Sequence, residues 1–525
     1  MMMTIVNTQD PEVPKASSRE WLGLAVLALP CLLYSMDLTV LNLAVPKLSA
    51  ALQPTGSELL WIVDIYGFVL AGALIPMGVL GDRFGRRRLL MIGAAAFGCA
   101  SVLAAFAPSV ETLIAARALL GLAAATLAPS TLSLLRCMFL DPKQRTFAIG
   151  VWIASFSAGG TIGPLVGGVL LQFFWWGSVF LINVPVMLLL LVIGPRLLPE
   201  FRNPQAGRPD ISSAAFCIAA VLTLIYGIKR IAEHGTDWTA ATSIVASLLI
   251  GAVFLRRQRR LTEPFIDLDL FRTPAFSAAL AINIVGFFVA FGSFLLIAQY
   301  FQLVIGLSPL VAGLWSAPSG VAFVAGAMLT PRIVNHVRPP RLIAICFVVA
   351  AMGFGLLTQT GTEHDLAVVA TAYVLFSIAL APVFTLASDL IVSTAPPERA
   401  GAAAGISEMS SELGGALGIA LLGSMVTMIY RGAMTGAVGG NLPGEAVEAA
   451  RGTLAGALSM AEALHEPLGA ALIHASRSAF VEAFQAAALA STAIALIAAA
   501  ATALFLDRQP QPGPDIPAMS KGTAS

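Results

Sequence analysis

Five carboxylates, Asp37, Asp64, Asp389, Glu408 and Glu412, and one guanidinium, Arg117, lie in or beside stretches that are otherwise apolar. A charge at the centre of a membrane helix costs about 2.5–3.5 kcal/mol, so acids retained there mark an ion, proton or substrate pathway. One buried carboxylate can serve two tasks. Burial favours its protonated form and an arriving cation favours its ionised form, so cation binding and proton release become linked. Glu412 follows Glu408 by one helical turn and shares its face. Asp389 stands near the end of its segment and reads as a solvated interfacial acid. Arg117 is the one base placed deep in an apolar segment, where it needs a buried acceptor or water. Tyr34, Trp61, Tyr66, Trp152, Phe156 and Phe384 are the aromatics that could stabilise a cation without burying another charge.

The elements that must hold these groups are membrane helices. Of 525 residues 58% are hydrophobic and 11% charged, less than half the charge fraction of soluble domains. The apolar runs repeat at the length that crosses about 30 Å of hydrocarbon. Fourteen are expected: Trp21–Val45, Leu59–Leu80, Leu89–Ala107, Glu111–Leu135, Arg145–Leu171, Val179–Leu198, Ile211–Ile228, Trp238–Phe254, Phe276–Gln302, Pro309–Thr330, Arg341–Thr358, Asp365–Ile391, Ala400–Met428 and Ser478–Leu506. Residues 1–20 are polar and have no apolar core or cleavage site of a signal peptide. Residues 200–210 read as a linker, 431–477 as a helical hairpin or else an unstructured loop, and 507–525 as a disordered tail.

With an even number of spans both termini share a side, and that side collects most of the Lys and Arg. The other side holds only Lys47, Lys229, Arg230, Arg431, Arg451 and Arg477. The asymmetry makes the arginine-rich side cytoplasmic. A net charge of +1 with arginines spread over short loops excludes a nucleic-acid surface. The five cysteines are isolated and show neither metal-ligand nor disulfide spacing. No Gly-x-x-x-x-Gly-Lys-Ser/Thr, His-Glu-x-x-His or Gly-x-Ser-x-Gly run occurs, so neither nucleotide-driven transport nor intramembrane hydrolysis is indicated.

Several runs exceed what topology requires. Gly81-Asp82-Arg83-Phe84-Gly85-Arg86-Arg87-Arg88 combines tight-turn glycines with an acid and clustered bases. Gly159, Gly163 and Gly167 recur every four residues, leaving a groove of bare backbone, and Pro164 among them must bend its helix. The first run resembles motif A of the major facilitator superfamily. The segment 113–125, with Arg117 and Gly121, resembles motif B, and 159–168 resembles motif C, the antiporter motif. The Asp37 segment, and 413–423 with its glycines, resemble the first- and thirteenth-helix motifs of the fourteen-helix drug:proton antiporters. Leu60-Trp61-Ile62-Val63-Asp64-Ile65-Tyr66 and Phe180-Leu181-Ile182-Asn183-Val184-Pro185 are similar to the quaternary-ammonium (Qac-type) exporters.

The resemblance implies an all-α membrane protein of two six-helix bundles, 21–198 and 276–506, with an inserted helix pair in 199–275. It implies a monomeric, proton-driven multidrug exporter of lipophilic monovalent cations in the bacterial inner membrane, both termini cytoplasmic, with protons in place of any cofactor. Asp37 and Glu408 are then the first acids for proton coupling and cation binding and Asp64 the third. Glu412 and Asp389 are secondary, and Arg117 is either a coupling residue or a structural arginine bonded to carbonyls. Asp82, Arg83, Gly85 and Arg86 would gate one side. The groove of Gly159, Gly163, Pro164 and Gly167 would seal the external side where the halves meet. The tenth span, around Pro318–Phe323, lacks the acid that some dication exporters of the family carry, which favours monocations. The rivals are the same fold exporting neutral or anionic compounds, and a membrane sensor or scaffold that transports nothing.

Overall fold

The computed structural model describes residues 15–202, 210–261, 264, 268–362, 365–394, 400–437, 450–462, 464 and 468–505. The tail 507–525, most of the N-terminal segment and most of the 200–210 linker lie outside them. The chain runs α1 Ser18–Leu52, α2 Gly56–Phe84, α3 Arg86–Ala105, α4 Val110–Met138, α5 Pro142–Phe173, α6 Ser178–Leu181, α7 Asn183–Leu197, α8 Ile211–His234 and α9 Trp238–Gln258. It continues with α10 Pro274–Gln299, which passes into a π-turn at Tyr300–Val304, then α11 Pro309–Val334, α12 Pro339–Leu357, α13 Leu366–Ser393, α14 Ala400–Ala437, α15 Leu454–Glu462 and α16 Leu468–Phe505. Local signals fix the ends. Ser17 with Glu20 and Thr55 with Glu58 form capping boxes, Ser109, Asp210, Asp237 and Ser308 cap their helices, and prolines occupy the first turns of α5, α10, α11 and α12.

Among the described residues 13 helices are long and apolar enough to cross a membrane, and α5, bent by 42° between Gly150–Gly160 and Ile162–Phe173, brings the number to 14. Pro164 stands just past the break and cannot donate to the carbonyl of Gly160, the last residue before it. The sixth span is broken into α6 and α7, since Pro185 likewise leaves the Leu181 carbonyl without its helical donor. Of the hairpin expected over 431–477, residues 438–449, 463 and 465–467 lie outside the described residues. α14 runs on to Ala437, the last long helix starts at Leu468, and the short α15 packs on it.

Helices α1–α7 pack among themselves, chiefly α1 on α5, α2 on α4 and α3 on α4 and α7. Helices α10–α16 form a second bundle through α10 on α14, α11 and α12 on α13, and α12 on α16. The halves meet where α2 packs on α14 and α5 on α11. The pair α8–α9 is inserted beside the first of these seams, with α8 touching both α2 and α14. Large apolar side chains such as Ile92, Leu248, Val321 and Met352 lie exposed around the helices, as lipid contact requires.

Candidate functional site

The first acid is tied to a base. Arg117 on α4 donates from Nη1 to Asp37 Oδ2 at 2.5 Å, from Nε to the Ile62 carbonyl at 3.1 Å and from Nη2 to the Val63 carbonyl at 3.3 Å. Its guanidinium also lies 4.6 Å from the centroid of the Tyr66 ring. One side chain thus fastens α1, α2 and α4 together. Gly121, one turn beyond Arg117, permits this, because a Cβ there would stand 2.5 Å from the Tyr66 carbonyl oxygen. Both partners are almost fully buried, at 1% and 3% exposure, so removing either would strand a charge.

The second acid is also paired, and here the structure corrects the sequence reading. Lys229 is not in a loop on the arginine-poor side, and Arg117 is not the one deep base. Helix α8 continues past Ile228 to His234, and Lys229 is buried with Nζ 3.1 Å and 3.0 Å from the two carboxylate oxygens of Asp64 and 4.1 Å from the centroid of the Trp61 ring. The signal was in the spacing. Ala214, Ile218, Leu222, Ile225 and Lys229 follow one another at three or four residues, a stripe whose last member is charged. Arg230, the next residue, turns to Asp237 at 2.7 Å.

Glu408 and Glu412 differ. Among the described residues no base forms an ion pair with either. Glu412 accepts a 2.5 Å hydrogen bond from the Tyr34 hydroxyl, which carries α1 of the first half to α14 of the second. Glu408 is exposed, yet close enough to Cys31, Tyr34 and Glu412 for its charge to act on each, so it faces the space between the halves. Asp64 and Glu412 line one small cleft with Gly67, Phe287, Phe291 and Ser411. Asn283, which sequence reasoning missed, sets the register of this part of α14. Its Nδ2 donates to the Ser407 carbonyl and to the hydroxyls of Ser410 and Ser411 at 2.8–3.2 Å.

The aromatics fall into two walls. On the first-half side Phe156 packs edge-on against Tyr34 at 5.3 Å and Trp152 at 4.7 Å, while Trp152 donates to Thr131 at 3.0 Å. On the other side Phe384 stacks on Phe287 at 4.1 Å. Phe287 and Phe291 were also missed, although their spacing of four puts both on one face of α10. Tyr66 and Trp61 are instead occupied by Arg117 and Lys229. Asp389 is exposed near the end of α13.

At the arginine-rich end Gly85 takes φ 113° between α2 and α3, a conformation that favours glycine. Arg83 is exposed, Arg86 is buried and its backbone N–H donates to the Phe201 carbonyl, and the Asp82 side chain lies outside the description. Glu200, read only as the start of a linker, accepts from the Arg87 backbone N–H at 3.1 Å and approaches the Arg87 and Arg88 side chains at 3.5 and 3.7 Å.

At the arginine-poor end the groove of Gly159, Gly163 and Gly167 is filled by α1, where a Cβ would run into Leu32, Thr39 and Val40. The groove therefore packs inside the first half. The contact between halves runs along the adjacent face of α5, because one residue turns a helix by about 100°. There a Cβ on Gly168 would come within 2.9 Å of Leu310 and Pro309, and one on Gly313 would strike the Pro164 carbonyl. Gln302 donates to the Leu43 carbonyl at 3.1 Å across the same end. The two halves are closed together here, while Glu408 remains accessible.

Residues 27–419 match the family model described as Major Facilitator Superfamily. The chain is 38% identical over 498 residues to the multidrug efflux pump LfrA of Mycolicibacterium smegmatis, covering 95% of this chain and 98% of that protein. It is 36% identical over 470 residues to the methyl viologen resistance protein SmvA of Salmonella typhimurium, covering 88% and 93%. A crystal structure of a bacterial homolog to the human lysosomal transporter Spinster superposes with a TM-score of 0.65 at 18% identity, over 95% of this chain and 100% of that one, which is a likeness of fold.

Proposed function

The chain belongs to the Major Facilitator Superfamily and is a membrane transport protein, not an enzyme, and from that premise we propose that it exports lipophilic cationic drugs, dyes and quaternary ammonium compounds in exchange for protons. The observation that carries the proposal is the contrast among the acids of its membrane helices. Asp37 and Asp64 each face a base, whereas Glu408 and Glu412, between two aromatic walls, form an ion pair with none among the described residues.

The arginine-rich end is cytoplasmic on this reading, so a cation enters from the cytoplasm and meets Glu408 first. Its charge displaces the proton that Glu408 and Glu412 hold in common. Neutralised, the site rocks to the other side by rotation of the bundles. Protons arriving from outside then release the cation. Asp37 joins the proton route only when Arg117 leaves it, which makes their ion pair a brake on uncoupled leak.

The family to which LfrA belongs by name, multidrug efflux, supports the drug class. The name of SmvA supports cations and weighs against a strict preference for monocations, since methyl viologen is a bis-quaternary dication. Inverted vesicles loaded with the protein test the reading. An imposed pH gradient should drive ethidium uptake that stops when the gradient is collapsed. A well-inserted protein whose ethidium flux ignores the gradient, or is absent, overturns it.

A further inference from the structure

Asp64 and Trp61 make a cation site that already holds a cation. The Lys229 ammonium stands 3.0 and 3.1 Å from the two oxygens of Asp64 and 4.1 Å from the centre of the Trp61 indole, with lysine and aspartate side chains 1% and 0% exposed. A carboxylate with an aromatic face beside it is the recognition pair for an organic cation in a low-dielectric site. Here the occupant is tethered, and it arrives on α8, a helix outside both six-helix bundles. The same Asp64 lines the cleft that Glu412 lines.

We propose that Lys229 is a resident cation that fills the Asp64–Trp61 site and thereby sets the charge selectivity of the transporter. With Lys229 seated, a substrate in the cleft meets Glu412 on its wall, with Glu408 one turn earlier on α14. With it gone, a second counter-charge stands along the same cleft, and a molecule with two cationic centres gains a place for the second. The inserted pair is then more than a spacer, because it delivers the group that decides how many charges the cargo carries. This inference rests on the proposed cation export.

The test compares methyl viologen, a dication, with ethidium, a monocation, for binding to purified protein and uptake into inverted vesicles. Lys229→Met keeps the apolar stem and removes the ammonium. Its dication-to-monocation affinity ratio should rise about tenfold, the dication's dissociation constant falling relative to the monocation's, as one well-placed counter-charge would give. Asp64→Asn/Lys229→Met should return the ratio to that of the unaltered protein, because the vacated site then has no charge. A purely structural role for Lys229 would lower both cargoes together and leave the ratio unmoved. Should Lys229→Met be lost from the membrane, Lys229→Gln, which still donates hydrogen bonds to Asp64, carries the same comparison. An unchanged ratio in a folded single variant, or a raised ratio that persists in the double variant, overturns the inference. Failure of the unaltered protein to bind or move either cation overturns the cation-export reading itself, which separates the two.

Discussion

Asp37 and Asp64, on α1 and α2, are held within 3.1 Å of Arg117 and Lys229, while Glu408 and Glu412, on α14 across the seam, lie beside each other and Tyr34 and pair with no base among the described residues. All four are acids in membrane helices, and the family resemblance ranks Asp37 with Glu408, ahead of Asp64 and Glu412. Their partners divide them differently. A paired acid is electrically silent and fixes helices together, whereas an unpaired acid in a cleft is open to a proton or a cation. On the proposed function, the first half supplies a rigid frame and the second half the exchangeable charge.

Removing the exchangeable charge should have the largest effect. Glu408→Gln/Glu412→Gln is expected to reduce gradient-driven ethidium efflux to that of empty vesicles while the protein stays inserted, since glutamine keeps shape and hydrogen bonding but neither ionises nor releases a proton. Proton release on adding substrate in detergent should vanish with it. Persistence of coupled efflux in this variant would dissolve the distinction between the two regions.

The paired acids answer to a different measurement. Asp37→Asn strands the Arg117 guanidinium, and breaking a buried pair in this way costs about 3–5 kcal/mol. Loss of export in that variant alone therefore does not assign a role. Asp37→Asn/Arg117→Met should regain most of the thermal stability, because both charges leave together, yet remain uncoupled if the carboxyl belongs to the proton route. Export that returns with stability would make Asp37 a framing residue only.

The seals of the two regions can be separated next. Gly313→Leu forces a branched side chain against the Pro164 carbonyl between halves, and Gly163→Leu forces one against Thr39 within the first half. Overpacking costs about 1–3 kcal/mol in either place. The expected consequences diverge. Gly313→Leu should leave a stable protein that stalls or leaks protons in vesicles, whereas Gly163→Leu should lower the melting temperature of the first bundle. Equal leak from both would place the gate on the glycine groove after all.

What could be read from the sequence follows the range of the forces involved. All fourteen spans were legible because apolar length, capping residues and prolines act locally. The Pro164 bend was legible for the same reason. The start of the last span was misplaced by ten residues, Ser478 against Leu468, since His474, Ser476 and Arg477 look like loop. In the fold Ser476 is fully buried and Arg477 donates to the Leu303 carbonyl at 3.1 Å, a partner supplied from a distant helix. Lys229 escaped for that reason too. Its charge suggested a boundary, and only the approach of α2 supplies Asp64 as its partner. The acids themselves were all visible, but which of them is neutralised depends on contacts 80 residues apart for Asp37 and 165 for Asp64.

The smallest expected effect lies at the surface and marks the limit of the comparison. Asp210 caps α8, accepting from the Ser213 backbone N–H at 3.0 Å and from its hydroxyl, and it pairs with Arg257 of α9 at 2.9 Å. Partial burial works against its charge, but the bonds from Ser213 and Arg257 outweigh it and hold this carboxyl below the usual carboxylate range. A depressed value in the folded state means that the stabilisation is present above the unfolded value, about 3.9 for aspartate, and disappears as pH falls through the folded one. Because the pair meets water, its contribution is about 0–1 kcal/mol, far below that of the buried pairs. Asp210→Asn should therefore lower the melting midpoint only slightly, by a constant amount between pH 5 and 8, with the gap closing in acid and shrinking in high salt. Asp37→Asn should show a large gap that salt does not reduce, because screening ions do not reach a pair buried between α1 and α4. A salt-sensitive Asp37 gap would mean that water enters this pair, and it would then join Glu408 among the exchangeable acids.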